Sequence, residues 1–574
     1  MAAEGALRRR FSRRRTMKSR MPFALLLLLA AAFGKMPTAA AQSPCGWSHD
    51  LRLVNGKIHT MDAQDRVVNE VTIQEGRFAY IGAAPENLNP CTKVIDLHGR
   101  TVIPGLIDDH NHIVLFSRRP GYDVMVETAT SIPEAMAMLR QRARTTPAGA
   151  WVTAIGDWTP RLFAEQRAPT LAELDGAVPN HPVLFAAFGP AVTNSLGKQF
   201  FESKGIKVGT AGDLNGAAAT AALNLLRGMQ TDEDRIRSAK YAQAYVLRYG
   251  LTTSVDMGVF ARPDSPDLQD SATLDGIASA NPWTAYDQFV ALDHRHELDE
   301  RVRVFLLSMD KTQDLPILKA RLNNVFPNFG DDMLRVSGIG EFATPWIFAY
   351  NWSAGQHPDN YEAALQMVAK RGWSYQQHTL SLPEVQFTAQ TYEKVNAVTP
   401  LADLHWSIAH VPSIDPATLK AMKDIGVGMA LHGWKYLQGA QGTPAGQPAG
   451  PPYRTILASG IHVGAGSDAG DIAMLDPWFD IYYMVTGKDC TGALINTGEQ
   501  VSREQALRMY TADNGWFFRE GDQLGSIETG KVGDLVVLSD DYFDAKRVSD
   551  EGIKKLKSVL TVVGGRVVFD AMRD

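Results

Sequence analysis

Short apolar runs of four to six residues recur along the middle of the chain, each ending in a polar or glycine residue. There are eight, at 102–107, 251–255, 302–307, 334–338, 373–377, 406–409, 427–431 and 461–466. Helical stretches lie between them, and strands alternating with helices are the pattern of a parallel α/β fold. Eight such units predict a (β/α)8 TIM barrel, whose active site sits at the C-terminal ends of its strands.

The two chain ends read differently. Leu51-Arg52-Leu53-Val54 runs into Asn55-Gly56, a hairpin signal, and short alternating segments follow at 71–73, 78–82 and 94–97. A matching set stands at 534–538, 559–563 and 566–569. These ends predict one discontinuous β-sandwich, from residues 42–100 and 516–574, around a barrel over 101–515. The interval between the first two barrel strands, about 140 residues, is too long for one crossover helix. Ser131 and Glu134 have the spacing of a capping box with Pro133 in the first turn, and 151–155 and 183–188 read as strands. The segment at about 117–225 is therefore predicted to be an inserted subdomain over the barrel mouth that shapes access to it. Residues 439–452, rich in Gly and Pro, predict a loop after the seventh strand and a candidate lid.

Composition alters this picture only at the N-terminus. Eight Lys/Arg between Arg8 and Arg20, an apolar stretch at 23–33 and Thr38-Ala39-Ala40-Ala41 read as a signal peptide over residues 1–41. The apolar stretch is short for a membrane span, so no stable anchor is expected after cleavage, and the protein is expected to be periplasmic or secreted. Arg8-Arg9-Arg10-Phe11 also resembles a twin-arginine signal. Removing nine Lys/Arg and one Glu with this segment leaves 48 basic and 62 acidic residues, a net charge of −14. That acidity argues against nucleic acid as a partner and leaves a small-molecule substrate, with homo-oligomerisation open. Of the cysteines, Cys45 and Cys91 are a candidate disulfide in an oxidising compartment, and Cys490 reads as a buried free thiol.

The chemistry lies at the ends of the eight runs. They carry His110 and His112, Asp256, Ser308 and Asp310, Glu341, His378, His410, His432 and Asp468. In extended backbone residues i and i+2 face the same side, so His110 and His112 can reach one point. Any one of these side chains alone has an ordinary structural role. Together, His110, His112, His378, His410 and Asp468 from strands one, five, six and eight form a nitrogen and oxygen set suited to zinc or a similar divalent ion. His432, Trp158, Trp346 and Trp434 are candidates for lining a substrate pocket.

This set resembles the amidohydrolase superfamily, and more narrowly the amidohydrolase family 3 group that includes N-substituted formamide deformylases. Pro104-Gly105-Leu106-Ile107-Asp108-Asp109-His110-Asn111-His112 is similar to the family's opening motif. The stretch from Gly525 through Lys531-Val532-Gly533-Asp534 to Val537 resembles its return to the sandwich. The resemblance implies a barrel with a sandwich, one or two divalent metals, and hydrolysis of a non-peptide carbon–nitrogen bond such as an N-acyl or N-formyl amide. Many relatives place a carbamylated lysine on strand four. Here Leu334-Arg335-Val336-Ser337-Gly338-Ile339-Gly340-Glu341 has none, and guanidinium cannot take that role. Glu341 is the nearest oxygen donor and a candidate bridging ligand. Asp468 is then placed to take a proton from water and return it to the leaving amine. Deamination, lactone hydrolysis and dipeptide cleavage could use the same centre, and a non-catalytic binding protein is the alternative outside enzymes.

Overall fold

The computed structural model describes residue 45 and residues 50–572, apart from 188, 260–283, 311, 346–354, 356, 445 and 471. The expected signal segment and Trp346 lie outside the described residues. The chain divides into residues 1–48 and 49–574, and every element below belongs to the second unit. Cys45 and Cys91 are each disulfide-bonded. Cys490 is free but only half-buried, less enclosed than its sequence context suggests. Among the described residues no helix is long and apolar enough to cross a membrane.

Among the described residues the central sheet has eight parallel strands pairing in chain order, Leu106–Asn111, Leu251–Asp256, Arg301–Leu306, Leu334–Glu341, Ser374–His378, Ser407–Ala409, Gly428–His432 and Val463–Gly466, with a ninth, Phe329–Gly330, antiparallel beside the fourth. Helices fill the intervals because their sequences carry one apolar face. Leu382–Asn396, for example, follows Ser381, has Pro383 in its first turn, and buries Val385, Ala389, Tyr392 and Val395 at helical spacing.

The first apolar run is two strands rather than one. Thr101–Pro104 joins a six-stranded sheet with Lys57–His59, Val67–Val68, Leu535–Leu538, Ser558–Val563 and Arg566–Asp570, and only Leu106–Asn111 enters the barrel. Gly105 is the crossing point. A Cβ there would lie 2.2 Å from Thr252 Oγ1, so the chain can pass the second strand only without a side chain. The second sandwich sheet, Arg77–Ile81, Val71–Gln74, Leu51–Val54 and Lys93–Asp96, comes wholly from the N-terminal part. Leu53, Ile58, Ile73, Val102, Leu535 and Leu560 of the two sheets share one apolar cluster. At the other end of the barrel sequence, Phe517 and Phe518 pack with Ile107, Val255, Phe305, Ala409 and Ala430 of the barrel strands rather than with the sandwich.

The insertion folds on its own five-stranded sheet, in which Val152–Ile155 and Val183–Ala186 are the two strands expected from the sequence. Ser131 accepts from Glu134 N, but the Glu134 carboxylate returns to Thr130 N at 2.8 Å instead of completing a box on Ser131. The insertion reaches the eighth-strand loop through Asp157, which accepts from Gly470 N at 3.3 Å while paired with Arg119. The described residues of 439–452 form neither helix nor strand, as expected of a loop.

Among the described residues the eighth and first strands share no ladder. Polar side chains close this seam instead. Asn514 donates to Ile107 O (2.6 Å) and Ala465 O (2.7 Å) and accepts from Ala465 N (3.0 Å). Asp108 accepts from Ser467 N (3.0 Å), Ser467 Oγ (2.5 Å) and His110 N (3.1 Å). Glycines make room for it, since a Cβ at Gly466 would lie 2.6 Å from His110 N and 2.7 Å from Asp108 Oδ1. Gly466→Ala is therefore expected to cost about 1–3 kcal/mol by overpacking a rigid polar seam, read as a lowered denaturant midpoint with an unchanged m-value.

Candidate metal centre

The strand ends carry their polar residues to one buried point. His110 lies within the first strand and His112 just past it, at the start of the short helix Ile113–Ser117. Glu341, His378 and His432 are the last residues of their strands, so Glu341 belongs to strand four itself. His410 and Asp468 follow their strands in left-handed backbone, at φ 68° and 59°. That conformation disfavours side chains with a Cβ by about 1–2 kcal/mol. It is held here by hydrogen bonds from His410 N to Ala430 O (2.9 Å) and from Asp468 N to His110 O (2.8 Å).

Glu341 is the hub. Its Oε2 lies 2.5 Å from His378 Nδ1, 3.5 Å from His110 Nε2 and 3.7 Å from His410 Nε2, and its Oε1 lies 3.5 Å from His112 Nε2. Asp468 stands opposite, with Oδ1 3.5 Å from both His110 Nε2 and His112 Nε2 and Oδ2 3.7 Å from His410 Nδ1. His110, His112 and Glu341 form one group able to hold an ion, and Glu341, His378 and His410 form another. A third group, His110, His410 and His432, adds the strand-seven histidine that the sequence offered only for substrate contact.

The outer nitrogens of the His-x-His pair are already occupied. His110 Nδ1 meets the Gln376 side-chain oxygen, and His112 Nδ1 donates to Gly258 O at 2.8 Å. With protons on Nδ1, both Nε2 lone pairs point at the shared space, the tautomer a metal ligand needs. Asp256 serves this arrangement indirectly. It accepts from Gly258 N (2.9 Å), Val114 N (2.8 Å) and Tyr286 OH (2.5 Å), fixing the turn that meets His112. Asp310 is likewise spent, on Ile317 N and Leu318 N at the start of a helix.

Electrostatics favour a cation here. Burial would raise the Glu341 carboxyl, but His378, His410 and His110 outweigh it and hold it below the usual carboxylate range. Asp468 is likewise driven down against burial by His410, His110 and His112. Burial and neighbouring imidazoles push His410 down to about 4, while Asp468 and Glu341 overcome burial to push His112 up to about 10. Ionised carboxylates among neutral imidazoles are the state a divalent ion selects, and binding would displace the proton from His112. His110 Nε2 and His378 Nε2 are also buried without a hydrogen-bond partner among the described residues. The residues thus fit a divalent metal.

The tryptophans separate. Trp158 is fully buried within the insertion core, packed on Phe163 and Phe185 with its N–H on Ala186 O at 3.1 Å, and so is a packing residue rather than a pocket wall. Trp434 lines a small pocket with Ser467, Met474 and Phe479, beside the eighth-strand end. The sequence reading missed Gln376, which lies within strand five two residues before His378; period-two alternation, which puts Gln376 and His378 on one face, was the available signal.

A barrel of eight parallel strands that gathers five histidines and two carboxylates at their ends defines a class, the metal-dependent barrel hydrolases. The amidohydrolase family model matches residues 93–569, and the chain belongs to that family. It is a metal-dependent hydrolase of carbon–nitrogen bonds. An N-substituted formamide deformylase of Arthrobacter pascens is 25% identical over 549 residues, covering 91% of this chain and 98% of the relative. A metal-dependent hydrolase from Pyrococcus furiosus superposes with a TM-score of 0.57 at 19% identity, over 86% of this chain and all of that one. A triazine hydrolase from Arthrobacter aurescens superposes with a TM-score of 0.52 at 16% identity, over 91% and 95%. These likenesses to solved structures speak for the fold.

Proposed function

We propose that the enzyme hydrolyses the acyl–nitrogen bond of a small N-formyl or N-acyl amine at a two-ion centre, with zinc as the fitting metal. The observation that carries the reading is Glu341, one carboxylate lying between two imidazole pairs. His110, His112 and Asp468 would hold one ion, His378 and His410 the other, and Glu341 would bridge them. A bound divalent ion supplies charge that acidifies water and polarises the substrate carbonyl. Asp468, held ionised, takes the proton from the attacking water at a carboxylate oxygen and delivers it to the leaving nitrogen. Gln376 and Gly258 O keep His110 and His112 turned inward through both steps. Trp434, beside the eighth-strand end, would offer an apolar surface for the substrate's organic portion.

The substrate class is supported by the Arthrobacter pascens relative, which the chain matches over almost all of its length. The test is release of free amine from a panel of N-formyl and N-acyl amines, with matched esters and lactones as controls. Amine release from the formamides with smaller rates for bulkier acyl groups is expected. Turnover confined to esters or lactones overturns the substrate class while leaving the metal centre standing.

A further inference from the structure

His410 has two ring nitrogens and they face different ways. Nε2 points to the Glu341 side, 2.9 Å from His378 Nδ1, and Nδ1 lies 2.8 Å from His432 Nδ1. Two imidazole nitrogens at that separation share one proton, so one ring donates and the other accepts. If Nε2 gives its lone pair to a metal, the His410 proton sits on Nδ1. Asp468 Oδ2 is the more distant acceptor at 3.7 Å, which leaves His432 Nδ1 to receive it. His432 must then carry its own proton on Nε2. That nitrogen is buried without a hydrogen-bond partner among the described residues and faces Asp109 Oδ1 at 3.7 Å, and both Asp109 oxygens are buried and unpartnered as well. Asp109 owes its place to glycine, since a Cβ at Gly464 would lie 2.4 Å from its Oδ2.

We infer that His432, backed by Asp109, is a positioning residue that fixes the tautomer and orientation of His410 for metal binding. The inference rests on the metal reading above. It gives a task to three buried polar atoms, His432 Nε2 and both Asp109 oxygens, that the reaction leaves unused. A buried donor or acceptor without a partner is costly, so their persistence in line behind a ligand needs a cause. It also separates His432 from the ion-holding set. His110 cannot serve His432's group and the His112 group at once, because its Nδ1 is committed to Gln376.

The test uses the zinc-loaded full chain labelled with 15N-histidine, with the His432 signal assigned by its loss in His432→Asn. The tautomers expected are Nδ1–H for His410 and Nε2–H for His432, and a His432 protonated on Nδ1 overturns the inference. Chelator competition supplies a second readout. His432→Leu should weaken at least one zinc step by about 10–100-fold. His432→Asn, whose amide oxygen replaces the accepting Nδ1, should recover most of that loss. Zinc affinity unmoved by leucine, or an asparagine variant no better than leucine, overturns it. A wild-type chain that retains no divalent ion would instead overturn the metal reading.

Discussion

Replacing Asp468 with asparagine is expected to lower kcat by about 10²- to 10⁴-fold, the range for loss of a positioned proton-transfer group. The substitution keeps the shape and the hydrogen-bonding reach of the side chain. What it removes is a carboxylate whose oxygens lie 3.5 Å from His110 and His112 and 3.7 Å from His410, held ionised by those rings. An amide cannot take the proton from water. Because the residue acts mainly on the transition state, KM should move far less than kcat. Steady-state amine release, with thermal unfolding as the control for folding, reads the effect. Activity within tenfold of wild type would remove Asp468 from the proton-transfer role.

Glu341→Gln has the second large expected effect, and it falls on the metal first. One carboxylate approaches four imidazoles, and the neutral amide offers a single oxygen with no charge to offset the repulsion between two cations. We expect elemental analysis to find at least one divalent ion fewer per chain. Charge stabilisation by one ion is worth several kcal/mol, so kcat should fall by about 10²- to 10³-fold with it. Unchanged metal content in the glutamine variant would show that Glu341 is a neighbour of the centre and not a bridge.

Much of this was legible in the sequence because periodicity and chemistry coincide at strand ends. All eight barrel strands lie within a few residues of their apolar runs, and the polar residue after each run is where a parallel barrel puts its active site. The parts that were hidden share a cause: they depend on contacts between distant segments. Nothing local says that Thr101–Pro104 and Leu106–Asn111 belong to different sheets, since both are uniformly buried and Gly105 looks like part of one motif. Gln376 reads as an ordinary polar residue until His110, far away in the chain, meets it. Trp158 looked like a pocket residue because large aromatics serve both cores and sites, and only the Ala186 carbonyl on its N–H decides between them. His432 was hardest, because its role depends on which nitrogen of another histidine faces it.

The passage of the chain from sandwich to barrel at Gly105 bears on when the enzyme can come into being. Thr101–Pro104 takes one neighbour from Lys57–His59 and the other from Leu535–Leu538, and its alternation is carried through Gly105 toward His110 and His112. A slip of one residue would exchange these histidines for Asp109 and Asn111. The strand that pins this alignment, and the Asn514 that fastens the barrel seam, lie more than four hundred residues downstream of the two histidines. During translation His110 and His112 therefore wait through more than four hundred residues before their alignment is fixed. Assembly of the centre thus depends on distant downstream segments, and a nascent chain holding both histidines has the letters of the site without its grammar.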